Sequence, residues 1–172
     1  EVFNKAGTHD ASATFSPDGQ TVIFARSGNG DKKGESDKEV SLYTSSIKNG
    51  LWSDAKPLTY VNSTYWDGTP HISKDGKTLY FSSEGHPGIG RADVFVSKRL
   101  DDTWTNWSTP LNLGNSINST SADYGFIISA IGDYAYLYKY ASTENGGFGS
   151  EDLFRIKLSE SSKPEPIVFV KG

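Results

Sequence analysis

Short runs of apolar residues alternate along the chain with polar and glycine-rich turns, and the pattern recurs at a long interval. The best-formed copy occupies residues 67–118 and contains four such runs, in period-two alternation or as β-branched stretches. Imperfect copies begin at Asp10, 57 residues before Asp67, and at Asp123, 56 residues after it. The sequence has no helical periodicity. The repeat therefore predicts an all-β fold, a β-propeller of about three four-stranded blades that is part of a larger propeller.

The turns between the first two runs of each repeat carry Gly at one fixed place. Residues 16–19 and 74–76 are predicted to be equivalent hairpin turns in which Gly19 and Gly76 take a positive φ angle. The third repeat keeps Gly132 but has Ile131 in place of the turn aspartate, so we expect a different turn there.

The repeat boundaries divide the chain into blades at about residues 5–62, 63–118 and 119–158. Residues 159–172 are polar and proline-rich before a last apolar run, and we expect a linker and the start of a following β-domain. The chain opens with Glu1 and contains no Met, so we interpret it as a processed form or a fragment. Propellers close with 4 to 8 blades, so we expect an uncovered face at Phe15, Val22, Leu79 or residues 136–138.

Composition excludes several classes of function. The net charge of −4, with dispersed Lys and Arg, argues against a nucleic-acid partner. The absence of Cys excludes disulfides, thiol catalysis and thiolate metal sites. No apolar run approaches the roughly 20 residues of a membrane-spanning helix.

Motifs that could carry chemistry each have a structural explanation as well. The loops at residues 88–91 and 147–150 resemble phosphate cradles, but strands follow them where a cradle needs a helix, which favours glycine turns. The spacing expected of metal ligands is absent from the three histidines, which are His9, His71 and His86. Three Asn-x-Ser/Thr sequences match the glycosylation pattern, and turn chemistry at the repeat junction explains two of them. We expect no catalytic residue, no cofactor and no metal.

An aspartate opens each repeat, at Asp10, Asp67 and Asp123. First strands of a propeller lie nearest its axis, so these carboxylates could converge at the channel mouth and bind a cation or a basic partner side chain. Alternatively, each Asp caps its own strand by accepting hydrogen bonds from nearby backbone N–H groups. We favour the local cap.

Aromatic residues next to these aspartates are the other candidate contacts. Trp66 and Tyr124, with Tyr65 and Trp104, could stack on a sugar or contact a partner protein. Tryptophan at the outer edge of a propeller also simply covers the sheet.

Two motifs of the second repeat carry a family resemblance. A Gly-x-Gly-x-x-Asp loop, residues 88–93, precedes Trp107, a Pro-Leu-Asn-Leu-Gly run at 110–114 and Ile117-Asn118. These residues resemble TolB-type, WD-repeat-like propeller repeats, and specifically the propeller that precedes an OmpA-like peptidoglycan-binding domain in envelope proteins of Bacteroidota. The resemblance implies an exported protein of the periplasm or cell envelope. It also implies an association with the outer membrane or peptidoglycan through domains outside this chain. No peptidoglycan-binding domain lies in the chain, so that activity is not carried over.

Three hypotheses on function follow. The first is a non-catalytic protein-binding and scaffolding module, whose partners are other proteins or the remaining blades of the same protein. The second is a glycan-cleaving enzyme, which would require two close carboxylates in a cleft. The third is a glycan-binding domain without chemistry, which would present an exposed aromatic platform.

Overall fold

The structure, a computed structural model, describes residues 2–28, 40–129, 131–141 and 148–158. Within these ranges the secondary structure consists of twelve β-strands and their turns, without a helix. The all-β prediction is therefore confirmed for the described part of the chain.

The strands form three antiparallel sheets that follow one another along the chain, as the repeats predict. The first sheet contains β1 (His9–Phe15), β2 (Thr21–Ser27), β3 (Val40–Lys48) and β4 (Leu51–Trp52), and β5 (Lys56–Pro57) also pairs with β3. The second contains β6 (Asp67–Ile72), β7 (Thr78–Ser83), β8 (Asp93–Lys98) and β9 (Leu111–Asn112). The third contains β10 (Asp123–Ile128), β11 (Tyr134–Ala141) and β12 (Ser150–Lys157).

The second repeat therefore has the four strands that were predicted, in sequential order, and the first repeat has one additional short strand. The third has three strands within the described residues. The linker and following domain predicted at residues 159–172 lie outside the described residues. We call the three sheets blades 1, 2 and 3.

The hairpin turns at the start of each blade share one backbone geometry. Gly19, Gly76 and Gly132 have φ angles of 69°, 70° and 84°. Each glycine N–H donates to the carbonyl of the serine three residues before it, at 2.8, 2.8 and 2.9 Å. The third turn, for which a different geometry was expected at Ala130 and Ile131, keeps the glycine angle and its hydrogen bond. Ala130 lies outside the described residues. Ile131 removes only the carboxylate that in the other two turns accepts a serine hydroxyl.

A bulge interrupts the first strand of every blade at the same repeat position. Ser12, Thr69 and Gly125 have φ angles of 48°, 46° and 64° there, and the strand register shifts at each. The bulges bring side chains of one first strand against the backbone of the next.

Hydrogen bonds between blades run through these first strands. The N–H of Ile72 donates to Thr14 Oγ1 at 3.1 Å, and the N–H of Ile128 donates to His71 Nε2 at 3.3 Å. Thr14 and His71 occupy the same repeat position, so the two junctions are built alike. Burial lowers the pKa of His71, which agrees with a neutral ring that accepts this hydrogen bond. The three first strands thus lie side by side, which is consistent with blades around a propeller axis.

The apolar core lies between the blades. One cluster joins blades 1 and 2 through Leu42, Leu79 and Trp107, and a second joins blades 2 and 3 through Tyr80, Phe126 and Leu137. Buried apolar area of this kind is the main stabilising contribution to the fold.

The uncovered face expected from the sequence is found only in part. Val22 and Leu79 are buried, and Leu79 belongs to the core between blades 1 and 2. In residues 136–138, Leu137 is buried while the two tyrosines are half-buried. Phe15 is 55% exposed, as expected.

Candidate functional site

The glycine-rich loop of blade 2 folds around its own aspartate. The carboxylate of Asp93 accepts the N–H groups of Ile89 and Gly90, the latter at 3.0 Å, and the side-chain amide of Asn112 at 2.9 Å. A Cβ atom at Gly88 would collide with that carboxylate. In blade 3 the N–H of Phe148 donates to Asp152 in the same way, at 2.6 Å. The loop N–H groups are thus used internally, which supports a structural turn rather than a phosphate cradle.

Two equivalent asparagines, one in each of the first two repeats, hold the outer part of their blades. The side chain of Asn118 accepts the N–H of Val94 at 2.8 Å and donates to its carbonyl at 3.0 Å. Asn62 makes the same pair of bonds with Leu42, at 2.8 and 3.0 Å. These two amides fix the third strand of one blade to the segment that leads into the next. Turn and junction chemistry therefore accounts for both residues.

The three repeat-opening aspartates lie at equivalent positions, each at the start of a first strand. Asp67 accepts the N–H and the hydroxyl of Ser63 at 2.6 and 3.0 Å, and Asp123 accepts those of Ser119 at 2.6 and 2.9 Å. Asp10 accepts the N–H of Asn4 at 2.8 Å. Each carboxylate thus bonds to the segment just before its own strand. This geometry supports the local-cap interpretation.

Cationic side chains neutralise two of these carboxylates. Arg26 Nε lies 2.6 Å from Asp10 Oδ1, and both side chains are buried. The hydrogen bond from this guanidinium lowers the pKa of Asp10, and the Asp10 carboxylate in turn raises the pKa of Arg26. Lys139 Nζ lies 3.3 Å from Asp123 Oδ1. The side chains of Asp10 and Asp123 are 9% and 0% exposed. Among the described residues no group of three His, Cys, Asp or Glu side chains could hold a metal ion.

Trp66 and Tyr124, the predicted aromatic contacts, meet where the first strands of blades 2 and 3 begin. Their rings are 5.3 Å apart in an edge-to-face arrangement, and Tyr124 stacks on Tyr138 at 5.6 Å. The Tyr124 hydroxyl donates to Glu84 Oε1 at 3.2 Å. Burial and the neighbouring Glu84 carboxylate raise the pKa of Tyr124 to about 12. We call Tyr65, Trp66, Glu84, Tyr124 and Tyr138 the mouth cluster.

Two glycines fix the rings of the mouth cluster in place. The Trp66 indole lies over Gly68 and the Tyr138 ring lies over Gly125, and a Cβ atom at either glycine would overlap the ring. The rings are half-buried, while Glu84 and Tyr65 are exposed. The cluster is thus a rigid aromatic surface with a carboxylate at its edge.

Sequence reasoning missed two members of this cluster. Glu84 and Tyr138 lie on or just after second strands, far in sequence from the residues they contact. The aromatic density of β11 was the one available signal for Tyr138. Trp104, the remaining aromatic candidate, lies elsewhere and stacks under Arg99, whose guanidinium carbon is 4.2 Å from the ring centre.

Among the described residues no helix has the length and apolar character needed to cross a bilayer.

The similarity to known proteins is one of fold. No family model matches the sequence, and no curated protein does. A solved structure described as a putative TolB from Agrobacterium tumefaciens matches 91% of this chain, with a TM-score of 0.53 and 16% sequence identity. The match covers 52% of that protein, so this chain spans about half its length. The chain therefore shares a fold with part of this TolB-like structure.

Proposed function

We propose that the chain is a non-catalytic protein-binding and scaffolding module, formed by three blades of a larger β-propeller in an exported cell-envelope protein. The observation that carries the proposal is the mouth cluster, which presents fixed aromatic rings and a carboxylate where first strands of two blades begin. Aromatic residues held in one conformation are typical anchors of protein interfaces.

The rest of the geometry supports a scaffold. The glycine loops, the repeat-opening aspartates and the Asn amides are each engaged in holding strands together. The fold shared with a TolB-like structure fits a propeller, and the resemblance of residues 88–118 to propellers before OmpA-like domains favours the periplasm or envelope. In this proposal residues 1–158 form the blades and residues 159–172 lead into a following domain. Peptidoglycan or outer-membrane association would come from domains outside the chain.

Site-specific crosslinking tests the proposal. A photo-crosslinking amino acid at Tyr65, which is 60% exposed beside Trp66, should give a discrete adduct with one protein in the envelope fraction of the source organism. Trp66→Ala should abolish the adduct, because it removes the central ring. Leu111→Ala is the matched control, since Leu111 is 66% exposed on the outer strand β9, and it should leave the adduct unchanged.

If both variants lose the adduct, or if both keep it, the partner site does not lie at the mouth cluster. A glycan-binding module is the second candidate, because aromatic rings beside a carboxylate also suit sugars. Saturable binding of the purified chain to a glycan array, abolished by Trp66→Ala, would favour it. Release of new reducing ends during that assay would instead indicate a glycan-cleaving enzyme.

A further inference from the structure

The two junctions between blades use different kinds of hydrogen-bond acceptor at one repeat position. Thr14 of blade 1 accepts the N–H of Ile72 with its hydroxyl oxygen at 3.1 Å, and His71 of blade 2 accepts the N–H of Ile128 with ring Nε2 at 3.3 Å. A hydroxyl oxygen can accept at any pH, whereas an imidazole nitrogen can no longer accept once it binds a proton. At this position, therefore, the bond between blades 2 and 3 is titratable and the bond between blades 1 and 2 is not.

The N–H of Ile128 relies on His71 because the strand pairing of blade 3 does not use it. In an antiparallel pair, the N–H groups of alternate residues point toward the partner strand. The next residue, Ser129, donates to the carbonyl of Tyr134 at 2.8 Å across the hairpin. The N–H of Ile128 therefore points away from β11 and toward blade 2. When the imidazole lone pair is lost, this half-buried N–H loses its partner, which destabilises the junction.

The packing around His71 suits the neutral ring. The ring is half-buried, its centre lies 6.3 Å from that of Tyr80, and Tyr80 in turn packs on Phe126 of β10 at 5.1 Å. Protonation would place a second donor of the ring against the N–H of Ile128, so that two donors would face each other. Burial lowers the pKa of His71, in the direction that keeps Nε2 an acceptor.

The charged groups near His71 do not hold its proton. Tyr80 faces the ring from β7, and burial raises the pKa of Tyr80 to about 12, so its hydroxyl stays neutral. None of the other titratable residues on the strands packed against β6 is a cause of the shift in the pKa of His71. Besides the exposed His9, those residues are Asp10, Arg26, Tyr43, Lys48, Asp123 and Tyr124.

We propose that His71 is a proton-sensitive latch between blades 2 and 3. The neutral ring holds the end of β10 by accepting the N–H of Ile128, and protonation of the ring breaks that bond and loosens this end of the junction. Nearer the start of β10, the N–H of Gly125 donates to Thr69 Oγ1 at 3.2 Å, and neither of these groups titrates. The latch therefore acts on one end of the junction, while the apolar core keeps the two blades together.

Mildly acid pH should lower stability through His71. Its folded pKa lies below the ordinary value of 6.5, so the unfolded chain binds the proton first as pH falls. The stability that the neutral ring contributes is thus fully present above 6.5 and is lost as pH falls from there through the folded pKa. Asp67, whose pKa burial raises, acts in the opposite direction, since its contribution is lost as pH rises. Differences between variants therefore isolate the contribution of His71.

Replacing His71 by the residue found at the other junction tests the latch. His71→Thr supplies a hydroxyl like that of Thr14 and leaves no titratable group at this position. From about pH 8 to about pH 5, where histidine titrates, the Tm of the wild type should fall by about 2 °C or more relative to that of the variant. His9→Thr is the matched control, because His9 is exposed at the start of β1, and it should keep the wild-type slope. Parallel curves for the wild type and His71→Thr would overturn the proposal.

An NMR titration of the unmodified protein decides the matter if His71→Thr does not fold. The ring nitrogen shifts of neutral His71 should place its proton on Nδ1, which leaves Nε2 free to accept, and the ring should titrate below 6.5. The amide resonance of Ile128 should shift with the same midpoint, whereas that of Gly125, which donates to Thr69, should not. A neutral ring with its proton on Nε2, or an Ile128 amide that does not follow the ring, would overturn the proposal.

Discussion

Two turn glycines show how one backbone angle constrains single residues. Gly19 and Gly76 have nearly equal positive φ angles, a region that β-branched residues resist. Their surroundings differ, because a Cβ at Gly19 would meet no atom within 4 Å, whereas one at Gly76 would lie 3.3 Å from Pro17 Cδ. The same substitution therefore tests backbone strain alone at one site and strain plus crowding at the other.

We expect Gly76→Val to destabilise the chain by more than about 1 kcal/mol, from backbone strain together with the close approach to Pro17. Gly19→Val should cost less, because only the strain applies. Gly19→Asn is the control that should be best tolerated, since Asn adopts this region more readily. Urea denaturation gives the three free energies of unfolding. An unchanged midpoint for Gly76→Val would show that the turn assignment is wrong.

At the scale of the element, a blade is held together by amides as well as by strand pairing. Asn118 is buried and satisfies both the N–H and the carbonyl of Val94 on the outer edge of β8. Asn112 reinforces it, since its Oδ1 accepts the Asn118 amide at 2.8 Å. Strand β9 is only two residues long, so these side-chain bonds replace a longer ladder of backbone bonds.

Asn118→Leu should therefore destabilise the chain by about 2 kcal/mol, because it leaves the N–H of Val94 buried without a partner. The carbonyl of Val94 still accepts the N–H of Leu113, at 3.1 Å. The amide of Val94 should also lose protection against hydrogen exchange. Asn106→Leu is the matched control, since the Asn106 amide bonds to Asp101 at the exposed surface, and it should change stability by less than about 0.5 kcal/mol. Equal losses in the two variants would argue against a special role for the Asn118 amide.

The sequence predicted elements well and contacts between elements poorly, for a physical reason. The turn at residues 74–76 and the all-β class follow from local backbone preferences, which are written in adjacent residues. The repeat-opening aspartates face a different residue in each blade, namely Arg26, Ser83 and Lys139. This difference can be seen only once the strand register is known, because each of these residues lies 16 positions after its aspartate. The bond between Tyr124 and Glu84 joins residues 40 positions apart, and no local pattern marks it.

The molecule has two outer blade faces, and their apolar residues are more exposed than those at the junctions between blades. Ile72 is 5% exposed because blade 1 covers it, whereas Phe15, at the same repeat position in blade 1, is 55% exposed. On the other side, Ile127 is 48% exposed at the position where Thr14 and His71 bond to the next blade. These two residues mark the faces where further blades of a propeller would pack, on the same protein or on a partner.

We expect the isolated 172-residue chain to self-associate through these faces at high concentration, because uncovered apolar blade surfaces favour contact with one another. Multi-angle light scattering should show a concentration-dependent mass, and the double variant Phe15→Ser, Ile127→Ser should reduce it to that of the monomer. Ile131→Ser is the control, because Ile131 is 86% exposed on a hairpin turn rather than on a blade face. A wild-type chain that stays monomeric at all concentrations would count against an incomplete propeller, since the faces that should seek a neighbouring blade would then be stable in water.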